Sequence, residues 1–226
     1  MENTFQNYRQ IWGIGTELYE GTDPNEIALT FDDGPNEPHT LQLLEILSQY
    51  GALATFFMVG KYVRKRPDIV RAVQKAGHII GNHTDQHRDL TTLSPEAVKQ
   101  ELQGCQKALE DATGISPRVF RPPFGRNSAF VDRVAKQFEL SSVIWSVIPE
   151  DYACITVERI VNRVCMAIDS RKQGEIVLLH DGDGDHGFGA DRQRTVDATR
   201  HLLQHYSRVR KRFVSILGLS IQVDDA

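Results

Sequence analysis

The sequence lacks the features that would tie a protein to a membrane or to nucleic acid. No apolar run among its 226 residues approaches the length of about eighteen that a membrane-spanning helix needs, so we expect no transmembrane segment. Neither sign of charge dominates, because 26 Lys and Arg face 30 Asp and Glu for a formal net charge of -4, and we expect no nucleic-acid partner. The first twenty residues are polar and hold no apolar stretch typical of a signal peptide, which predicts a cytoplasmic protein.

Cysteine is also scarce. The three cysteines, Cys105, Cys154 and Cys165, are odd in number and far apart, and no C-x-x-C pair is present to suggest zinc or redox chemistry. A chain of this length buries roughly 70% of its unfolded surface, so it needs neither a disulfide nor a metal merely to fold. The sequence contains no long Pro/Ser linker, low-complexity tract or abrupt charge shift, which predicts a single domain over residues 1–226.

Short apolar runs alternate with amphipathic segments along the chain. The runs are rich in Val, Ile, Phe and Thr and end at Gly, Asp or Pro, as strands do. They occupy residues 27–31, 54–59, 78–81, 119–120, 140–147, 176–179 and 213–217, and helix-like segments lie near 39–49, 67–76, 94–113, 127–138, 156–171 and 191–206. Glycines at 51, 77, 114 and 174 are expected to end helices.

This alternation predicts a parallel sheet covered by helices, either a doubly wound open sheet or a (β/α) barrel. With about seven parallel strands, a barrel would be small or incomplete. Functional residues of a barrel gather just past the carboxyl ends of its strands. Polar residues follow five of the predicted strands here, at Asp32-Asp33, His83 to His87, Arg121, Glu150-Asp151 and His180-Asp181.

The H-x-x-x-H spacing of His83 and His87 allows two imidazoles to face one cation, and neutral imidazole suits zinc, cobalt or nickel. Either Asp32 or Asp33 would complete a site of two histidines and one carboxylate, leaving the other aspartate free to act as a base. A metal in such a site suits hydrolysis of an amide or an ester. His180 would protonate the leaving group, although a structural imidazole at the edge of the core is the alternative.

Four motifs in this order resemble those of the polysaccharide deacetylases, the NodB-homology enzymes of carbohydrate esterase family 4. They are TFDDG at 30–34, HTDQH at 83–87, RPPFG at 121–125 and LLHD at 178–181, and the match runs from about residue 26 to 217. The resemblance implies a distorted (β/α) barrel, a divalent metal, often zinc, and an acetylated carbohydrate substrate. The resemblance assigns Asp33, His83 and His87 as metal ligands, Asp32 as general base and Arg121 as the residue that orients Asp32. It assigns His180 as general acid and Asp151 as the group that tunes His180. The Phe124 backbone N–H would be an oxyanion donor, and Leu178 would line the pocket for the acetyl methyl.

One motif departs from the family pattern. The family usually shows D-x-x-D-W, whereas residues 148–152 read IPEDY. Asp151 is retained, but Ile148 replaces the first aspartate and Tyr152 replaces the tryptophan, and both changes are expected to alter the groove wall. The expected activity is removal of acetyl groups from N-acetylated sugars of the N-acetylglucosamine type. An O-acetyl esterase acting on xylan or another sugar, and a non-catalytic carbohydrate-binding module, are the alternatives.

The glycine-rich stretch from Asp181 to Asp191 begins like a calcium loop. Counted from Asp181, the sixth position is His186 rather than glycine, and the twelfth, just past this stretch, is Arg192 rather than glutamate. A flexible acidic loop beside the site is therefore predicted instead.

Overall fold

The computed structural model describes residues 20–153, 156–183 and 189–220. The predictions for the first nineteen residues, for Cys154 and for the central part of the glycine-rich loop at 184–188 lie outside these described residues.

The order of strands and helices follows the predicted alternation. The strands are β1 (Glu20–Gly21), β2 (Glu26–Gly34), β3 (Ala54–Met58), β4 (Ile79–Asn82), β5 (Val119–Phe120), β6 (Ser141–Ser142), β7 (Gly174–His180) and β8 (Arg212–Phe213). The helices are α1 (His39–Gln49), α2 (Gly60–Val63), α3 (Pro67–Lys75), α4 (Pro95–Thr113), α5 (Ala129–Gln137), α6 (Val157–Ser170) and α7 (Gln193–Arg208). Short 3₁₀ turns lie at Leu90–Thr92, Pro123–Gly125 and Ile216–Gly218.

The strands form a single curled sheet in the order β1-β7-β2-β3-β4-β5-β6, with β8 beside the start of β2. Every pairing is parallel except that of β1 with β7. A parallel bridge between Val147 and Val177 joins the segment after β6 to β7, so the curled sheet comes back on itself. The predicted distorted, incomplete (β/α) barrel is therefore confirmed, with one antiparallel strand that the sequence did not suggest.

Two predicted strands are shorter than expected. The run 140–147 is regular only at Ser141–Ser142, because the carbonyls of Val143 and Ile144 accept hydrogen bonds from the Arg121 side chain (3.0 and 2.7 Å). The run 213–217 leaves the sheet after Phe213 and turns, since the N–H of Ile216 is satisfied by the Thr55 hydroxyl. Gly174 begins β7 rather than ending a helix.

Amphipathic helices cover the outside of the sheet. The main core packs β2, β3 and β7 against α1, α4, α6 and α7, and it includes the buried Cys105. The long helix α4 begins where the sequence predicts, with Ser94 as N-cap and Pro95 in the first turn, and ends at Gly114, whose φ of 74° suits glycine. Among the described residues, no helix combines the length and the apolar character needed to cross a membrane.

Candidate active site

The carboxyl end of β2 delivers two consecutive aspartates to one cleft. The register between β2 and β3 shifts between Asp32 and Gly34, and Asp33 adopts a left-handed conformation with φ of 75°. Side chains of neighbouring strand residues normally point to opposite faces. The irregularity at Asp33 breaks this alternation, and both Asp32 and Asp33 line the cleft.

Asp33 lies between two imidazoles. Its Oδ1 atom is 3.4 Å from Nε2 of His83 and 3.2 Å from Nε2 of His87. Burial would raise the pKa of Asp33, but the adjacent His83 imidazole, with the nearby charges of His180 and His87, holds it well below its ordinary value. The carboxylate is therefore ionised at neutral pH.

These three residues suit a metal ion. One ligand atom from each lies within 4.8 Å of the others, and all three side chains are buried. Within the described part of the chain, Oδ1 of Asp33 is buried and accepts no hydrogen bond, which is costly unless a cation lies beside it. His83 donates from Nδ1 to the carbonyl of Arg121 (2.7 Å), so its other ring nitrogen, Nε2, faces Asp33. Two imidazoles and one carboxylate are ligands that zinc and similar divalent metals prefer.

Asp32 is held by a fully buried arginine. Nη1 of Arg121 donates to Oδ1 of Asp32 (2.8 Å) and to the Thr30 hydroxyl (2.7 Å), and the guanidinium lies 4.3 Å from the centre of the Phe57 ring. The other guanidinium nitrogens donate to main-chain carbonyls after β6. The arginine is thus fixed in one orientation, and it fixes the carboxylate of Asp32 in turn.

His180 lies at the end of β7, in register with Asp32 on the adjacent strand. Its Nδ1 donates to Oδ1 of Asp151 (2.8 Å), while Oδ2 of Asp151 accepts the main-chain N–H of His180 and the Thr195 hydroxyl, each at 2.8 Å. Burial would lower the pKa of His180, but the charge of Asp151 and its hydrogen bond, aided by Asp33 and Asp32, raise it to about 9. The imidazole is therefore protonated at neutral pH, and its Nε2–H is a proton donor.

A cleft of about 390 Å³ connects these groups. Leu178 lies in its wall with only 3% of its surface exposed, whereas Phe124 and Tyr152 are half exposed at its rim. The Phe124 ring packs edge-on against His87 and the Tyr152 ring against His180, with ring centres 4.8 and 5.3 Å apart. All ten residues predicted for the site are thus at or directly behind one cleft.

Several further residues of the site were not predicted from the sequence. Thr30 precedes Asp32 by two positions on a strand, so its position on the same face could have been read from the spacing. Trp145 lines the cleft but falls in a run that was interpreted as a strand. Ile148, which the sequence did indicate as a change in the groove wall, lines the cleft as well. Asp183 and Arg192, on either side of residues 184–188 in the sequence, line it as well, and Thr195 supports Asp151 from the first turn of α7.

The arrangement has the parts needed to hydrolyse an acyl group. It offers a cation site, a carboxylate fixed beside that site, and a protonated imidazole on the neighbouring strand, all facing one partly apolar cleft.

Known proteins share much of the sequence of this chain. The model of the polysaccharide deacetylase family matches residues 19–143. The chain is 41% identical over 195 residues to a peptidoglycan-N-acetylglucosamine deacetylase of Bacillus cereus, covering 85% of this chain and 87% of that protein. It is 39% identical over 159 residues to a chitooligosaccharide deacetylase of Azorhizobium caulinodans, covering 70% and 74%.

Solved structures are similar as well. A crystal structure of a peptidoglycan N-acetylglucosamine deacetylase superposes with a TM-score of 0.82 at 27% identity, covering 92% of this chain and 95% of that chain. The wild-type structure of a CE4 family pseudoenzyme from Bacillus anthracis superposes with a TM-score of 0.79 at 25% identity, covering 93% and 71%.

Proposed function

The chain belongs to the polysaccharide deacetylase family, as its motifs predicted, and we propose that it is a metal-dependent N-deacetylase of sugars of the N-acetylglucosamine type. The observation that supports this most is the convergence of Asp32, the Asp33–His83–His87 cluster and His180 on one cleft. The relatives named for peptidoglycan N-acetylglucosamine and for chitooligosaccharides favour β-linked N-acetylglucosamine oligomers as substrate.

In this proposal Asp33, His83 and His87 hold a divalent metal, with zinc favoured and cobalt or nickel as alternatives. When bound there, the metal supplies Lewis acidity toward the acetyl carbonyl oxygen and toward a water molecule. The main-chain N–H of Phe124 is proposed as the second donor to the developing oxyanion.

Asp32 is proposed as the general base. Arg121 orients its carboxylate through the 2.8 Å hydrogen bond, and Asp32 accepts the proton of the attacking water. Because Arg121 and Thr30 are buried around it, the carboxylate holds its orientation during the reaction.

His180 is proposed as the general acid. Its protonated imidazole gives a proton to the departing amine nitrogen, and Asp151 maintains both its tautomer and its charge. Leu178 contacts the acetyl methyl, while Phe124 and Tyr152 present apolar ring surface to the sugar.

The test is acetate release from N-acetylglucosamine oligomers, with acetylated xylan alongside, before and after chelation and zinc add-back. We expect metal-dependent release from the oligomers. Release from xylan alone would replace the proposal with an O-acetyl esterase, and the absence of release from both despite bound metal would favour a non-catalytic binding module.

The variant Asp32→Asn separates the metal from the base. We expect it to keep one bound metal per chain and to lose at least about 100-fold in turnover, since general base catalysis is worth on the order of 10²–10⁴-fold. Near-normal turnover would show that another group is the base.

A further inference from the structure

The turn that carries His83 and His87 is held in an unfavourable backbone conformation. Thr84 has φ of 64° and His87 has φ of 60°, both in the left-handed region that side chains other than glycine rarely adopt. Thr84 is also β-branched, which makes the conformation less favourable still. A strained conformation persists only when its surroundings impose it. Contacts outside the turn must therefore hold the two imidazoles in place.

A buried glutamate on α4 makes the central contact. Oε2 of Glu101 accepts the main-chain N–H of Asp85 (3.0 Å) and that of Gln86 (2.8 Å), two of the three residues between the histidines. The glutamate is 4% exposed, and its other oxygen lies 3.8 Å from Nη1 of Arg88. Hydrogen bonds to a carboxylate are stronger than those between neutral groups, so this side chain is well suited to accept hydrogen bonds from two adjacent main-chain amides.

The side chain of Asn82 connects the same turn to the same helix. Oδ1 of Asn82 accepts the N–H of Thr84 (2.8 Å), and its Nδ2 donates to the carbonyl of Leu102 (2.9 Å) on α4. The N–H of His87 donates to the Thr84 hydroxyl (3.1 Å). Successive positions of α4, Glu101 and Leu102, thus fix the path of the turn between the two imidazoles.

We propose that Glu101 is a positioning residue for the metal site, one that sets the spacing of the His83 and His87 Nε2 atoms about Asp33. This inference rests on the proposed metal site. Without an acceptor at Glu101, two amides of the turn lose their partner and the backbone relaxes away from its left-handed conformation. The imidazoles then spread apart, and the three ligands no longer converge on one cation.

The test measures metal affinity on the full chain without relying on activity. The protein is stripped by chelation and titrated with Zn²⁺ and with Co²⁺, following heat and the visible absorption of bound cobalt. Glu101→Leu is expected to weaken affinity about 10- to 100-fold, the range found for outer partners of metal ligands, and to change the cobalt spectrum. Glu101→Gln retains an acceptor oxygen at the same reach and is expected to bind within a few-fold of wild type.

Two controls separate positioning from general stability. Glu101→Asp keeps the charge but withdraws the oxygens by one methylene, so it is expected to weaken metal binding and serves if Glu101→Leu fails to fold. Glu175→Leu removes another buried glutamate, at the far end of β7 from His180, and is expected to lower the melting temperature while leaving metal affinity unchanged.

Three results would overturn the inference. The first is that folded Glu101→Leu or Glu101→Asp binds metal as tightly as wild type. The second is that Glu101→Gln loses as much affinity as Glu101→Leu, and the third is that Glu175→Leu weakens binding equally. Failure of the wild-type chain to bind one metal ion would instead remove the proposed metal site itself.

Discussion

Left-handed backbone conformations cluster around the cleft. Of the seven non-glycine residues with positive φ in the described ranges, four belong to its motifs, namely Asp33, Thr84, His87 and Phe124, and a fifth, Glu150, precedes Asp151. Such conformations are unfavourable and remain where surrounding contacts over-determine them. At Asp33 the conformation brings two consecutive side chains, those of Asp32 and Asp33, into the cleft, whereas a regular strand would send them to different faces.

The charge of Asp151 sets the working range of His180 in the proposed mechanism. Because that carboxylate helps to raise the pKa of His180 to about 9, the imidazole keeps its proton up to that pH and loses it above. Asp151→Asn removes the charge, so we expect the alkaline limb of kcat/KM to move to lower pH by roughly one to three units. The measurement is the pH profile of acetate release.

The matched control for this prediction is Asp111→Asn, which removes an exposed carboxylate on α4 that pairs with Lys107. Its alkaline limb is expected to coincide with that of wild type. An unshifted limb in Asp151→Asn would show that His180 is not the acid that this limb reports.

Among the elements, α4 connects stability to the site. It carries Glu101 and Leu102, which hold the histidine turn, and its apolar face packs into the core through residues such as Leu102 and Cys105. Its first turn is closed by Ser94, whose hydroxyl accepts the N–H of Ala97 (3.4 Å). The N-cap therefore supports a helix on which the geometry of the site depends.

Ser94→Ala removes this cap. We expect a loss of about 1 kcal/mol in the free energy of unfolding, because the amide of Ala97 exchanges a side-chain acceptor for water. Urea denaturation measures the change. Ser94→Asp places another good N-cap at the same position and is expected to unfold within a few tenths of a kcal/mol of wild type; an equal loss in both variants would contradict a capping role.

In the molecule as a whole, histidines at the two ends of the barrel have pKa values that are shifted in opposite directions. The site lies at the carboxyl ends of the strands, whereas His78 precedes β4 at the other end and accepts the N–H of Ala54 through Nδ1 (3.3 Å). His78 is 7% exposed and packs beside Phe56. Burial lowers the pKa of His78 to about 4, so the folded chain keeps this imidazole neutral.

This difference predicts a loss of stability in acid. His78 is protonated near pH 6.5 in the unfolded chain and only near pH 4 in the folded chain. The stability that comes from a neutral His78 is therefore complete above pH 6.5 and disappears as the pH falls toward 4. His78→Asn keeps an acceptor and cannot be protonated. Between pH 7 and pH 4, the free energy of unfolding falls in both proteins. We expect the fall in His78→Asn to be smaller than that in wild type by on the order of 1–2 kcal/mol, a value reduced for solvent screening.

Parallel urea denaturation series at several pH values measure the two slopes. Carboxylates titrate in both proteins, so only the difference between the slopes reports His78. Identical slopes would show that this imidazole is not held neutral by the fold.

Local sequence was sufficient to predict most of the architecture. Apolar periodicity depends on which face of an element is buried, so it located six of the helices and the long strands within a few residues. The same reasoning placed Asp32, His83 and His180 at strand ends, because parallel strands finish at one rim. Motif order then predicted the family, which the comparisons confirmed.

Other features depend on residues that are distant in the chain. The run 140–147 has the composition of a strand, but two of its carbonyls accept hydrogen bonds from the Arg121 side chain. A single β-bridge connects this run to β7. Glu101 lies on an ordinary amphipathic helix, and no local sequence pattern indicates that its carboxylate accepts hydrogen bonds from two amides in the turn between His83 and His87. The periodicity of apolar residues predicts only which face of an element is buried. The hydrogen-bond partner of a buried polar group depends on how distant elements pack together, so only the tertiary structure determined the contacts of Arg121 and Glu101.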